Sequence, residues 1–338
     1  MNIDLDIQIM ENRLKPHVTV IEPEGPEKWF SALTEYASVE YFYPKGPVTA
    51  EQIDEILLRS DGVIITSASA ICNEQLDRAK RLKIIAKCGG PPSNIDIEYA
   101  AKCGVAVSCV PRANTTSIAE YTVMLIMAAL RRFDLHIGTI RQGKWRAPGF
   151  LLGHDLKDAV VGIIGLGAIG LEVARRLSVF GCRLLAYSPH AVRENTSGLD
   201  IRFCDSLEEL LPVCDVVTLH NKVTPQTCGF FNEKCFSLMK KGAVFINTAR
   251  GALVDEDALA AALESGTVSA AAVDVFQIEP PPASCGLIAC PNAILTPHSA
   301  GWTEEALYRE CTGAVKSVIA YLTGDAIPGL LNKPLPHN

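Results

Sequence analysis

The sequence predicts an α/β protein with two doubly wound parallel sheets. Two observations lead there: short apolar runs alternate with helical stretches along the chain, and the alternation restarts near residue 160 around a glycine-rich turn. A third agrees, since 338 residues is too long for one ordinary core and suits two at roughly 150 residues each.

In the first half, Val18–Ile21, Gly62–Thr66, Lys83–Lys87 and Val105–Ser108 are short apolar runs of the kind that form buried parallel strands. Glu51–Arg59 and Asn73–Leu82 are the helices between them. Ser117–Arg132 reads as a helix too apolar to have a solvated side, and is expected to pack between lobes or between subunits. From Val160 the pattern is stronger. Val160–Ile164 is a strand, Ala168–Phe180 a helix with Ile169, Val173 and Leu177 on one face, Gly181 its stop, and Arg183–Tyr187 the next strand. Further strands are Val216–Leu219, Ala243–Asn247, Ala271–Val275 and Ile294–Thr296. Asp257–Leu263 is a helix closed by Gly266, with Asp255, Glu256 and Asp257 at its positive end. The last helix, Glu304–Leu322, can return to the first lobe, which would then be built from both ends of the chain.

Composition excludes several functions. Hydrophobic residues are 48% and charged residues 20%, so the chain can fill sizeable cores and is not disordered. A net charge of -7 argues against nucleic acid or an anionic membrane as partner. Asp4, Asp6 and Glu11 interrupt the apolar N-terminus, so no secretion signal is expected. The longest apolar stretches, Tyr121–Leu130 and Ala159–Leu171, are shorter than the roughly 20 residues that span a bilayer. A soluble, cytoplasmic protein follows. The 12 cysteines show no Cys-x-x-Cys pair and no histidine at metal-ligand spacing; they read as buried free thiols, Cys88, Cys182 and Cys214 in or beside strands, with no metal site.

Gly165-Leu166-Gly167-Ala168-Ile169-Gly170 is a G-x-G-x-x-G run between a Val/Ile strand and an amphipathic helix, the context that marks a dinucleotide site. The first glycine makes the turn, the second lets backbone approach a pyrophosphate, the third lets helix pack on strand, and the helix N-terminus offers N–H groups to the anion. At the end of the next strand, where an acid would hold the ribose hydroxyls, stand Ser188, Pro189 and His190. Three more residues follow strand ends: Arg250, Glu279 and His298. Reduction of a 2-keto acid needs these types. An Arg fork pairs with carboxylate and keto oxygen, a His protonates that oxygen as hydride arrives, and a Glu keeps the imidazole charged and oriented.

The segments Val161–Gly170, His220–Thr227, Asn247–Asp255, Ala272–Pro280 and Thr296–His298 resemble the D-isomer-specific 2-hydroxyacid dehydrogenases, the family of phosphoglycerate dehydrogenase and glyoxylate and hydroxypyruvate reductases. The resemblance continues more weakly through Asn94-Ile95-Asp96 and Ala119-Glu120. It implies Arg250 as the substrate-orienting residue, His298 as general acid/base and Glu279 as its partner. It also implies Asp274 on the nicotinamide carboxamide, with Asn221, Thr248 and Ala249 lining the cofactor. The implied architecture is a Rossmann-like cofactor domain, 113–303, inserted into a flavodoxin-like substrate domain, 1–112 and 304–338, with homodimers formed through the cofactor domain. No appended regulatory domain is expected after residue 338.

One departure concerns the loop that presents backbone N–H groups to the substrate carboxylate. Gly89 and Gly90 are its expected donors, but Pro91 and Pro92 have no N–H to give. Arg112 either supplies a charge that this loop lacks or is simply exposed. The cofactor is NADP or NAD, because Ser188 lacks the charge that excludes a 2′-phosphate, and His190 and Arg193 stand nearby. The expected activity is hydride transfer between NAD(P)H and a small 2-keto or D-2-hydroxy acid. The alternatives are hydride transfer with another small anion (formate, phosphite, a sugar acid) and a dinucleotide-sensing binding protein.

Overall fold

The computed structural model describes residues 15–67, 69–92, 94–146, 152–189, 196 and 198–335. The chain divides into two compact units, Met1–Asn114 with Trp302–Asn338, and Thr115–Gly301.

The first unit carries five strands: β1 (His17–Ile21), β2 (Ser38–Phe42), β3 (Gly62–Ile65), β4 (Ile84–Lys87) and β5 (Ala106–Cys109). All pair in parallel in the order β2-β1-β3-β4-β5, the flavodoxin-like winding. Its helices are α1 (Ala50–Arg59), α2 (Asn73–Arg78) and α3 (Ile97–Lys102). A capping box of Thr49 and Gln52 starts α1, whose Ile53, Ile56 and Leu57 are buried. The edge strand β2 is missing from the sequence reading because each of its residues is only half-buried and leaves no apolar run.

The second unit opens with α4 (Thr115–Leu130) and α5 (Phe133–Arg141), followed by β6 (Val160–Ile164), α6 (Ala168–Leu177), β7 (Arg183–Tyr187) and β8 (Ile201–Phe203). Then come α7 (Leu207–Leu210), β9 (Val216–Leu219), α8 (Glu233–Leu238), β10 (Ala243–Asn247), α9 (Glu256–Glu264), β11 (Val268–Val273) and β12 (Ala293–Leu295). The seven-stranded sheet is parallel throughout in the order β12-β11-β10-β9-β6-β7-β8. The chain reverses direction across the sheet between β6 and β9, and that switch point is where open α/β sheets bind ligands. Back in the first unit, α10 (Glu304–Thr323) lays Cys311, Ala314, Val315 and Val318 on Val18, Val20, Ile64, Ile84 and Ala86.

Some sequence expectations need correction. The helix read from Ala168 ends at Leu177 and continues as a tight turn over Ser178–Phe180 before Gly181, at φ 73°. Helix α4 packs Ala119, Leu125, Ile126 and Ala129 on Val161, Ile163, Val173 and Leu177 of its own unit. The edge strand β8 and the helix α5, which buries none of its residues, are absent from the reading because neither carries a buried apolar stripe. All 12 cysteines are free, as expected, but Cys72 and Cys228 are exposed rather than buried, one beginning α2 and the other in a turn. Among the described residues no cluster of metal-ligating side chains exists, and no helix is long and apolar enough to cross a membrane.

Phe231, Phe236 and Phe245 form the aromatic centre of one core layer, with ring centroids 4.9–5.3 Å apart. Each is at most 2% exposed. Phe245→Ala should cost about 3–5 kcal/mol in urea unfolding of this unit, and a loss below about 1 kcal/mol would show that the cluster is not a core element.

Candidate active site

The three glycines of the turn after β6 have three separate reasons to be glycine. Gly165 holds φ +96°, and a Cβ there would stand 2.8 Å from the His220 carbonyl carbon and 2.9 Å from Asn221 N. A Cβ on Gly170 would lie 2.1 Å from the Gly165 oxygen, so helix α6 could not pack on its strand. Gly167 is different. It caps α6, and a Cβ on it would meet nothing within 4 Å, so no protein atom demands its smallness and the open space suits an approaching ligand.

Beside that turn the segment after β9 carries two buried polar atoms without hydrogen-bond partners, His220 Nδ1 and Asn221 Oδ1. Burial pushes the His220 imidazole down to about 3, so it is neutral at physiological pH, and its Nε2 pairs with Thr218 Oγ1 at 3.0 Å. Unpaired buried polar atoms are costly unless something satisfies them, and these lie at the switch point of the sheet. Across β6, the Ser188 hydroxyl accepts from Leu166 N at 3.0 Å, which ties the end of β7 to the glycine turn and leaves the hydroxyl proton available. These features suit a dinucleotide.

The remaining site residues stand beyond β10, β11 and β12. Arg250, Glu279 and His298 line one open hollow of about 240 Å³ with Val223, Gly251 and Phe276. His298 Nδ1 meets Glu279 Oε2 at 2.7 Å, and the other Glu279 oxygen accepts from Phe276 N at 3.0 Å. The hollow exists because residue 251 is glycine: a Cβ there would overlap the Phe276 carbonyl carbon at 1.9 Å. That contact lets the segment carrying Arg250 lie against the segment carrying Glu279. Asn247, 1% exposed, braces the Arg250 turn by accepting from Ala249 N and donating to the Arg250 carbonyl. The guanidinium donates to the Ala249 carbonyl at 2.6 Å and is otherwise exposed.

His298 sits in the left-handed region at φ 51°, where a β-carbon is unfavourable. What holds it there is Asp274, which is fully buried. The Asp274 carbonyl accepts from His298 N at 2.8 Å. Its carboxylate accepts from Thr296 Oγ1 at 2.6 Å, Ser299 N at 2.9 Å, Ser299 Oγ at 3.3 Å and Ala300 N at 2.9 Å. Tyr121 on α4 adds a bond to Ser299 Oγ at 3.0 Å. The resemblance implies Asp274 on the nicotinamide carboxamide; what the structure shows is that it anchors the His298 turn. Asn247 and Gly251 are visible in sequence only as a strand-ending Asn and an Arg-Gly step. Thr248 is 4% exposed, and its hydroxyl is engaged with Thr122 Oγ1 at 2.8 Å, while Ala249 is half-buried on the same turn.

In the first unit, Gly89 follows β4 at φ +84° and Gly90 is open, with nothing within 4 Å of a Cβ. Pro92 is buried and Pro91 exposed. Arg112 is exposed and also left-handed, at φ 67°. Pro189 is exposed, whereas His190 and Arg193 lie outside the described residues.

Comparison with known proteins agrees with this geometry. Residues 123–300 match the family model of the D-isomer specific 2-hydroxyacid dehydrogenase, NAD binding domain. The chain is 32% identical over 323 residues to a glyoxylate reductase of Korarchaeum cryptofilum, covering 95% of this chain and 97% of that protein. It is 34% identical to a D-3-phosphoglycerate dehydrogenase of Methanocaldococcus jannaschii, over 85% of this chain but 54% of the relative, so it spans about half the length of that enzyme. A solved glyoxylate reductase from Paecilomyes thermophila superposes with a TM-score of 0.82 at 28% identity, covering 94% of this chain and 98% of that one. With an open glycine turn at a sheet switch point, and Arg, Glu and His sharing one hollow on the same unit, the chain belongs to the D-isomer-specific 2-hydroxyacid dehydrogenases.

Proposed function

We propose that the protein reduces a small 2-keto acid to a D-2-hydroxy acid, or runs the reverse, with NADP or NAD. One observation carries this reading: the 2.7 Å pair of His298 and Glu279 opens into the same hollow as Arg250. The second unit is the cofactor-binding domain and the first the substrate-binding domain. The pyrophosphate belongs over Gly165, Gly167, Ala168, Ile169 and Gly170, and the adenosine ribose beside Ser188, Pro189 and His190. Asn221, Thr248, Ala249 and Asp274 lie along the nicotinamide half, and the orphaned Asn221 Oδ1 is an acceptor in want of a donor.

The cofactor supplies the hydride to the carbonyl carbon. Arg250 offers two N–H groups to the carboxylate and keto oxygen, and Gly89 and Gly90 offer backbone N–H groups to the carboxylate. His298 is bound through Nδ1 to Glu279, so its other nitrogen gives a proton to the oxygen as the carbon is reduced. The Glu279 contact is half exposed and contributes little to stability; its work is to orient the ring. His298→Asn should lower turnover by roughly a hundredfold or more while cofactor binding, read by nicotinamide fluorescence, survives. Turnover near the parent value with pyruvate, glyoxylate and hydroxypyruvate would remove His298 from this role.

Ser188 carries no charge to repel a 2′-phosphate, and its hydroxyl proton is free to bond one. NADPH should therefore serve at least as well as NADH at fixed keto acid. A tenfold preference for NADH in kcat/KM, about 1.4 kcal/mol, would count against a phosphate pocket at Ser188.

The protein is further proposed to be a homodimer through the second unit. Helix α5 is apolar on part of its surface yet has no fully buried residue, and Phe133 and Ile140 are each 57% exposed, with Trp145 at 75%. Light scattering should give a dimer for the parent and a monomer for Phe133→Glu with Ile140→Glu. A monomeric parent at micromolar concentration would end this part of the proposal.

A further inference from the structure

Beneath the proposed substrate loop of the first unit lies a group of ionisable side chains that the reaction itself does not use. Glu310 on α10 is only 7% exposed. A Cβ on Gly89 would come within 3.3 Å of its Oε2 and 3.4 Å of its Oε1, so the carboxyl group lies beside the loop where the backbone is left-handed. The Gly89 carbonyl accepts from Val110 N at 2.8 Å, which fixes the start of the loop.

Glu24, Lys87 and Arg309 act directly on Glu310, and further groups stand next to them. Glu22 and Glu24 follow β1, and Glu22 Oε2 is buried without a partner. Lys87, 5% exposed, ends β4 and donates from Nζ to the Cys88 carbonyl at 3.0 Å. Cys88 follows it, Cys109 ends β5, and Arg309 and Cys311 flank Glu310 on α10. Trp29 comes from the turn 27–29 and packs edge-on against Tyr308. Arg309 spends its Nε on the Ala113 carbonyl, and Glu310 forms no ion pair among the described residues. Burial first, and the charge of Glu24 second, push the Glu310 carboxyl up to about 7, with Lys87 and Arg309 opposing. Its proton content therefore changes within the physiological range.

We propose that Glu310 is a positioning residue for substrate capture: with its proton it packs neutrally under Gly89 and leaves the loop receptive to an anion, and without it the loop opposes the substrate carboxylate. This rests on the reading of Gly89 and Gly90 as donors to that carboxylate. The physical reason is proximity in a poorly hydrated place, where a carboxylate beside Gly89 weakens the attraction of the loop for a second one. The effect falls on KM for the keto acid and not on kcat, because the proton donor His298 and the hydride lie on the other unit. The sign for stability follows from linkage. A carboxyl held above its usual range contributes stability at low pH that is lost as pH rises through about 7.

The test compares the parent with Glu310→Gln at saturating cofactor between pH 6 and 8.5, using pyruvate and glyoxylate. Taking the ratio of the parent KM to the Glu310→Gln KM at each pH cancels every pH dependence that the two proteins share. That ratio should be near one at pH 6 and rise to about threefold or more by pH 8.5, with kcat unaltered. A ratio flat across the range overturns the proposal. If neither protein reduces any keto acid, the functional reading fails instead, and the proposal is then tested on the same two proteins without substrate. Infrared spectra should show a buried protonated carboxyl disappearing between pH 6 and 8 in the parent and absent from Glu310→Gln, and melting temperature should fall over that range only in the parent. No such band and parallel melting curves would overturn it.

Discussion

All seven strands of the second unit run in one direction, and this constraint underlies the site. A parallel sheet gathers the C-terminal ends of its strands along one edge, so residues separated by 133 positions, Gly165 and His298, emerge on the same side. The glycine turn leaves β6, Asn221 leaves β9, Arg250 leaves β10, Asp274 leaves β11 and His298 leaves β12. Reversal of winding between β6 and β9 opens the space there, because the connections on either side depart to opposite faces of the sheet.

Closeness at the strand ends is then refined by packing that permits no side chain. Gly251 against the Phe276 backbone and Gly170 against the Gly165 oxygen are approaches that any β-carbon would forbid. Each brings a functional segment within reach of another: the first places Arg250 beside Glu279, the second sets the N-terminus of α6 over the glycine turn. Buried polar groups finish the arrangement. Asp274 could not remain enclosed without hydrogen-bond partners, and the donors that satisfy it are those of residues 296–300, so the requirement to pair one buried carboxyl group also determines the backbone of His298.

The first unit uses charge differently. In the second unit Arg250, Glu279 and His298 are open to solvent, and ion pairs such as Arg175 with Glu172 decorate exposed faces where they contribute little. In the first, Lys87 and Glu310 are buried beside a glycine loop, where the cost of a charge is high and its protonation is sensitive to its neighbours. A group so placed is poorly suited to stabilising the fold and well suited to altering a nearby backbone.

The sequence by itself determined the strands that are buried on both sides, the glycine turn and the three residues Arg250, Glu279 and His298, because continuous apolar runs and strand-end motifs are local patterns. The edge strands β2 and β8 escaped it, since a half-buried strand has no such run. So did the packing of α4, whose almost wholly apolar sequence is equally compatible with a core, a lobe contact or a subunit contact. Only the tertiary structure decided that Asp274 anchors the His298 turn, that Gly251 admits Phe276, and that Glu310 lies beside Gly89. Those are contacts between residues 25, 25 and 221 positions apart, set by which atoms must fill or satisfy one another once the sheets have formed, and no spacing in the chain encodes them.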